Sequence, residues 1–110
     1  MSIPAERETD IVRACLTYLR VVRRWPAWRN QTGALRAGKR FIRFGEVGSA
    51  DILGLLPPTG KLLAIECKRP GNRPTAAQAA WLDMVGRAGA VALVVDSIDS
   101  LARQLAEAGY

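Results

Sequence analysis

The stretch Lys61-Leu62-Leu63-Ala64-Ile65-Glu66-Cys67-Lys68 decides how this chain is read. Leu62 to Ile65 form an unbroken apolar run, which suits a strand buried on both faces. A carboxylate and an ammonium follow at its end. Strand side chains alternate, so Glu66 and Lys68 leave from the same face. Just upstream, Ile52-Leu53-Gly54-Leu55-Leu56 reads as a second strand headed by Asp51, and Pro57-Pro58-Thr59-Gly60 reads as a tight connection between the two. If the strands pair, Asp51 lies beside Glu66. Two carboxylates and an ammonium then share one mouth of a sheet. Carboxylate oxygens suit Mg²⁺, and a lysine beside such an ion can act on water, which is what a metal-dependent phosphodiesterase needs.

Outward from this pair, residues 69–74 read as a loop and Thr75 as the N-cap of a helix over 76–88, with Ala79, Leu82 and Val85 or Gly86 facing inward. Val91-Ala92-Leu93-Val94-Val95 is a continuous apolar strand, as expected at a sheet centre. Ser97 caps a last helix over about 98–108, closed by Gly109. Strand 61–67, helix 76–88 and strand 91–95 make a βαβ unit with parallel strands.

Towards the N-terminus, residues 5–23 read as an amphipathic helix started by Pro4. Ile11, Val12, Cys15, Leu16, Leu19 and Val22 form its apolar stripe. Glu8 sits on the centre line of that stripe, while Glu6 and Asp10 fall on the wet face. Residues 25–31 and 39–44 read as two short strands, with Gly33 to Gly38 as the turn region. The order is α-β-β-β-β-α-β-α, which predicts an α/β fold: one mixed sheet flanked by helices, in a single domain over 1–110.

The composition narrows the chemistry. The chain has 110 residues, two cysteines and no histidine. Cys/His zinc sites, Ser-His-Asp triads and Cys-His dyads are therefore excluded, and Cys15 and Cys67 read as small buried apolar residues. Acid–base or metal chemistry must use Asp, Glu, Lys or backbone oxygen. Net charge is +6, unevenly placed. From Ile11 to Gly45 there is no acidic residue, yet the stretch holds Arg13, Arg20, Arg23, Arg24, Arg29, Arg36, Lys39, Arg40 and Arg43, interleaved with Trp25, Trp28 and Phe41. A one-sided basic field favours phosphate backbones. No apolar run approaches the ~20 residues of a membrane helix, and residues 1–15 lack the layout of a signal peptide. The expected location is the cytoplasm, with no membrane partner.

Asp51 followed by Glu66-Cys67-Lys68 at the end of the next strand, then a helix, resembles the PD-(D/E)xK nuclease signature. The glutamate in the first helix, the run Gly48-Ser49-Ala50-Asp51-Ile52-Leu53-Gly54, the run Ile65 to Gly71, and Thr75-Ala76-Ala77-Gln78 followed by Trp81-Leu82 resemble its VRR-NUC branch. The likeness covers about residues 8–108. In size the chain is similar to the stand-alone, phage-type members. It departs in one place: Ala50 stands where the family usually has a proline before the aspartate.

The resemblance implies a restriction-endonuclease-like fold and a Mg²⁺- or Mn²⁺-dependent DNA endonuclease. Its expected substrates are branched DNA such as four-way (Holliday) junctions, and it would act as a homodimer in a bacterial host, phage- or prophage-encoded. Asp51 and Glu66 would bind the metal with the backbone carbonyl of Cys67, and Glu8 would support the metal or its water. Lys68 would orient or deprotonate the attacking water, or stabilise charge on the phosphate. Gln78 would approach from the second helix. Arg69 and Arg73 flank the site and are expected to hold phosphates, as are Arg36, Lys39, Arg40 and Arg43 of the basic stretch.

Plainer readings stand beside these. Glu8 is a first-turn carboxylate that a helix dipole favours. Thr75 and Gln78 have the spacing of a capping box. The basic stretch alone would suffice for a nucleic-acid-binding module without catalysis, and the same core would serve a flap nuclease or an RNase.

Overall fold

A computed structural model describes residues 7–110. Helix α1, Glu8–Thr17, continues into a wider π-helical turn, Tyr18–Val22. The strands and remaining helices follow in order: β1 Ala27–Arg29, β2 Gly33–Ala37, β3 Arg40–Phe44, β4 Ile52–Leu56, β5 Lys61–Cys67, α2 Ala76–Arg87, β6 Val91–Val95 and α3 Ile98–Glu107. The expected helix start at Pro4, its first residues 5 and 6, and the placement of Glu6 lie outside the described residues.

The central sheet has the order β1-β4-β5-β6. β4 pairs antiparallel with both β1 and β5, and β5 pairs parallel with β6, so the sheet is mixed and the βαβ unit is present. Alternation along β5 sorts its side chains. Leu63, Ile65 and Cys67 join Ile11, Val12, Cys15 and Leu19 below α1 and Leu101 and Leu105 of α3, in one fully buried core. Ala64 turns the other way and packs with Ala50, Trp81 and Leu82 under α2. The result is α1 and α3 on one face and α2 on the other. A fully buried Leu or Ile stabilises such a core by roughly 1.5–3 kcal/mol. Both cysteines are buried in it, and the Cys67 thiol is pushed up in pKa, first by the Cys15 thiol against it and then by burial. They are neutral core residues, as the sequence suggests.

The structure corrects several expectations. The turn region expected at Gly33 to Gly38 is itself mostly strand. β2 pairs with β3 from Gly33↔Phe44 to Ala37↔Arg40, leaving a two-residue turn at Gly38 and Lys39. Gly38 has φ +63, the positive value that the first central residue of a tight hairpin turn needs. β1, read as the strand ahead of that turn, instead adds to the central sheet beside β4. Val22, placed on the apolar stripe, is 66% exposed, because the π turn from Tyr18 breaks the helical phase. The helix ends at Arg23, before Arg24 turns left-handed at φ +56. On α2, Leu82 is buried and Val85 packs against the core as expected, but Trp81 and not Ala79, which is exposed, completes the inward face. β6 is an edge strand, not a centre, and is only half-buried for most of its length. Among the described residues no helix is long and apolar enough to cross a membrane.

Candidate metal centre

Three elements deliver a carboxylate each to one end of the sheet. Asp51 stands at the head of β4, and its Oδ2 accepts the Cys67 N–H at 2.8 Å. That bond ties the start of β4 to the end of β5, and so sets Asp51 beside Glu66. Glu66 leaves β5 on the face opposite Ile65 and Cys67. It is completely buried, and neither of its carboxylate oxygens has a hydrogen-bond partner among the described residues. Glu8 is the first residue of α1, where a helix N-terminus favours negative charge. One oxygen from each of Glu8, Asp51 and Glu66 lies within 4.8 Å of the others. Lys68 completes the group, its Nζ 3.7 Å from Glu8 Oε1 and 4.0 Å from Glu66 Oε1.

The electrostatics follow from this crowding of like charges. Burial, and after it the neighbouring Asp51 carboxylate, push the Glu66 pKa up to about 8; Lys68 pulls the other way and Glu8 adds to the rise. Three carboxylates face one ammonium, so the group has surplus negative charge, and the buried Glu66 oxygens have unmet lone pairs. A buried polar group without a partner is costly and rare in folded proteins. A small divalent cation meets each of these conditions, since it neutralises the surplus and takes oxygen donors. The residues present therefore fit such an ion.

The family follows from the same stretch of chain. The VRR-NUC domain model matches residues 5–99. The chain belongs to the VRR-NUC family. VRR-NUC domains are nuclease domains, and the mixed sheet with flanking helices agrees with a nuclease-like fold. No curated protein matches the chain.

Other residues expected at this VRR-NUC site fall in three places. Gln78 is engaged in the helix cap: Thr75 N–H donates to its Oε1 at 2.9 Å, and its own N–H donates to Thr75 Oγ1 at 3.2 Å. Among the described residues no bond joins it to the carboxylates. Arg69 and Arg73 are exposed on the loop between β5 and α2. Arg36, Lys39, Arg40 and Arg43 are all exposed on the β2–β3 hairpin, where the Arg43 guanidinium lies 5.8 Å from the Phe41 ring centroid.

Sequence reasoning misses what holds Asp51. Asn30, just past β1, donates its side-chain amide to Ser49 Oγ at 2.8 Å and to the Ala50 carbonyl at 2.9 Å. Its backbone N–H reaches the Asp51 carbonyl at 2.8 Å. Three bonds from one residue thus fix Ser49, Ala50 and the backbone of Asp51 itself. From the other side, Gly48 has φ +81, and a Cβ there would come within 2.6 Å of the Ala77 carbonyl oxygen, so only glycine lets the first turn of α2 seat on this turn. Gly48 is visible in the family run; an asparagine far upstream carries no local signal.

Proposed function

We propose that this VRR-NUC domain is a Mg²⁺- or Mn²⁺-dependent endonuclease that hydrolyses phosphodiester bonds in branched DNA, four-way junctions foremost, and that it works as a homodimer. The observation that carries this reading is the buried, unpartnered Glu66 carboxylate gathered with Glu8, Asp51 and Lys68. Residues 1–110 act as one domain in this reading, in the cytoplasm of a bacterial cell and encoded by a phage or prophage.

Asp51 and Glu66, with the Cys67 carbonyl, are the residues that would hold the ion, and Glu8 would hold it or its water. A bound divalent ion supplies neutralisation of the phosphate oxygen and a lowered pKa for water. The protein's own part is orientation. The Cys67 N–H keeps one Asp51 oxygen turned towards β5. Lys68, held between Glu8 and Glu66, presents its ammonium at the mouth, where it orients the attacking water and stabilises charge growing on the phosphate. Gln78 supports the site through the cap of α2. The exposed cations of the hairpin, Arg36, Lys39, Arg40 and Arg43, and of the loop, Arg69 and Arg73, neutralise flanking phosphates. A two-stranded ribbon also has the width to enter a major groove.

Branched DNA and a dimer go together on symmetry. A two-fold dimer would bring paired sites to the paired strands of a junction. The test is a cleavage panel of junction, flap, duplex and single-stranded DNA at several Mg²⁺ concentrations. Junctions are expected to be cut fastest, with cleavage lost and binding kept in Asp51→Ala and Glu66→Ala. Unchanged cleavage in either variant would sink the proposal.

A further inference from the structure

A cleft of about 300 Å³ opens against Asp51, walled by Arg29, Asn30, Gln31, Thr32 and Phe44. It runs between the end of β1 and the root of the β2–β3 hairpin, so it joins the carboxylate group to the basic ribbon. Its walls have a mixed chemistry. Arg29 is an exposed guanidinium with no carboxylate partner among the described residues. The Asn30 amide is already committed to Ser49 and Ala50, which leaves Gln31 and Thr32 as the polar wall. Phe44 is 44% exposed, and its orientation is set: it is paired with Gly33, and a Cβ on Gly33 would come within 2.9 Å of the Phe44 Cζ. The ring therefore lies across β2 in the space that a side chain would have taken.

We propose that this cleft seats one nucleotide of the substrate strand next to the cleaved phosphodiester, with Arg29 on its phosphate, the Phe44 ring against its base, and Gln31 and Thr32 on its sugar and base edges. The inference rests on the nuclease reading and adds a subsite to it. The guanidinium fork matches phosphate geometry, and an exposed ring accepts any base face. The volume is at the small end of ligand sites, so it holds one unit of a strand and not a duplex. A base can lie on Phe44 only after leaving its own stack. The subsite therefore selects DNA whose strand is splayed beside the cut, which deepens the preference for branched substrates.

The test reads binding in EDTA, where no cleavage occurs. Fluorescence anisotropy is measured on junction strands carrying a single neutral methylphosphonate, moved one linkage at a time. Wild type should lose about tenfold in affinity at linkages it touches. Arg29→Ala should lose its sensitivity, to under twofold, at one of those linkages and keep it at the rest. Phe44→Ala should lose affinity for the intact strand and lose nothing further when the neighbouring nucleotide is made abasic. The same penalty profile in wild type and Arg29→Ala overturns the proposal, as does a wild-type profile with no linkage dependence. Glu66→Gln cleavage assays judge the nuclease reading separately, because this scan requires no catalysis.

Discussion

The carboxylate group and the β2–β3 hairpin treat charge in opposite ways. Glu66 is fully buried, with neither oxygen hydrogen-bonded among the described residues and the Lys68 Nζ 4.0 Å from one of them. The hairpin's four cations are all exposed, on strands with no buried residue at all. A buried carboxylate with no hydrogen bond and one long ion pair is costly unless something offsets it, so its presence demands a cause. Exposed cations cost little one by one, and each contributes little alone. The proposed function thus rests on single residues at the sheet end, whereas along the hairpin it is spread over many. Point variants separate the two regimes, and the largest effect belongs to Glu66.

Replacing Glu66 with Gln keeps the shape and removes the charge. Single-turnover cleavage should fall by at least about a thousandfold, the scale of losing charge stabilisation at a reacting centre. The metal-free variant should melt no lower than wild type, because it no longer buries an ionisable carboxyl. A substantial residual rate would show that the carboxylate group is not the centre of catalysis.

The same burial sets a pH dependence. The Glu66 pKa is raised from 4.5 to about 8, so between these values the folded metal-free protein holds a proton that the unfolded chain has released. Its stability is whole below about 4.5 and declines as pH rises through that window, by a few kcal/mol at most. Urea melts of the metal-free protein at a series of pH values should show that decline, and Glu66→Gln should flatten it. Metal uptake has the opposite slope, since the ion must displace that proton, and affinity should climb until pH passes about 8.

Asn30 lies between the two regimes, outside the carboxylate set yet bonded to the chain that carries Asp51. Asn30→Ala should reduce cleavage roughly tenfold, near the ~1–2 kcal/mol cost of losing buried hydrogen bonds. Raised Mn²⁺ should recover part of that loss, and calorimetry should show weaker Mn²⁺ binding. A change in DNA affinity alone would place Asn30 with the hairpin instead.

The smallest effects are expected for single hairpin cations. Arg40→Ala should leave stability within about 0.5 kcal/mol of wild type and weaken DNA binding slightly. Removing Arg36, Lys39, Arg40 and Arg43 together should make the slope of log affinity against log salt shallower, by about 0.9 for each phosphate these side chains neutralise. A single hairpin arginine that abolished binding would contradict the idea of a distributed surface.

The two regions also differ in how far the sequence reveals them. β5, α2, β6 and α3 are legible because unbroken apolar runs and cap residues such as Thr75 and Ser97 are local signals. Glu66 and Lys68 are legible as a same-face pair because strand geometry is itself local. Glu8 needs the helical wheel, and its meeting with Asp51 and Glu66 follows from the tertiary fold. β3 is read correctly, but β2 is taken for a turn because Gly33-Ala34-Leu35-Arg36-Ala37 has no clean alternation and is buried nowhere, so no hydrophobic pattern marks it. On α2, Leu82 and Val85 face inward as read, while Ala79 is exposed and Trp81 takes its place, because Ala and Gly on several sides leave the edge of the apolar stripe ambiguous. The family resemblance supplies the roles that spacing cannot, and Asn30 escapes both because its bonds form only once β1 and β4 lie side by side.

The function proposed for this domain stands on Glu8, Asp51 and Glu66 forming a divalent metal site. Calorimetric titration of Mn²⁺ into wild type and Glu66→Gln at a pH above 8 tests this without DNA or turnover. Saturable uptake is expected in wild type, abolished in Glu66→Gln while its fold, followed by circular dichroism, is unchanged. Equal uptake by both proteins, or none by wild type, would contradict the site.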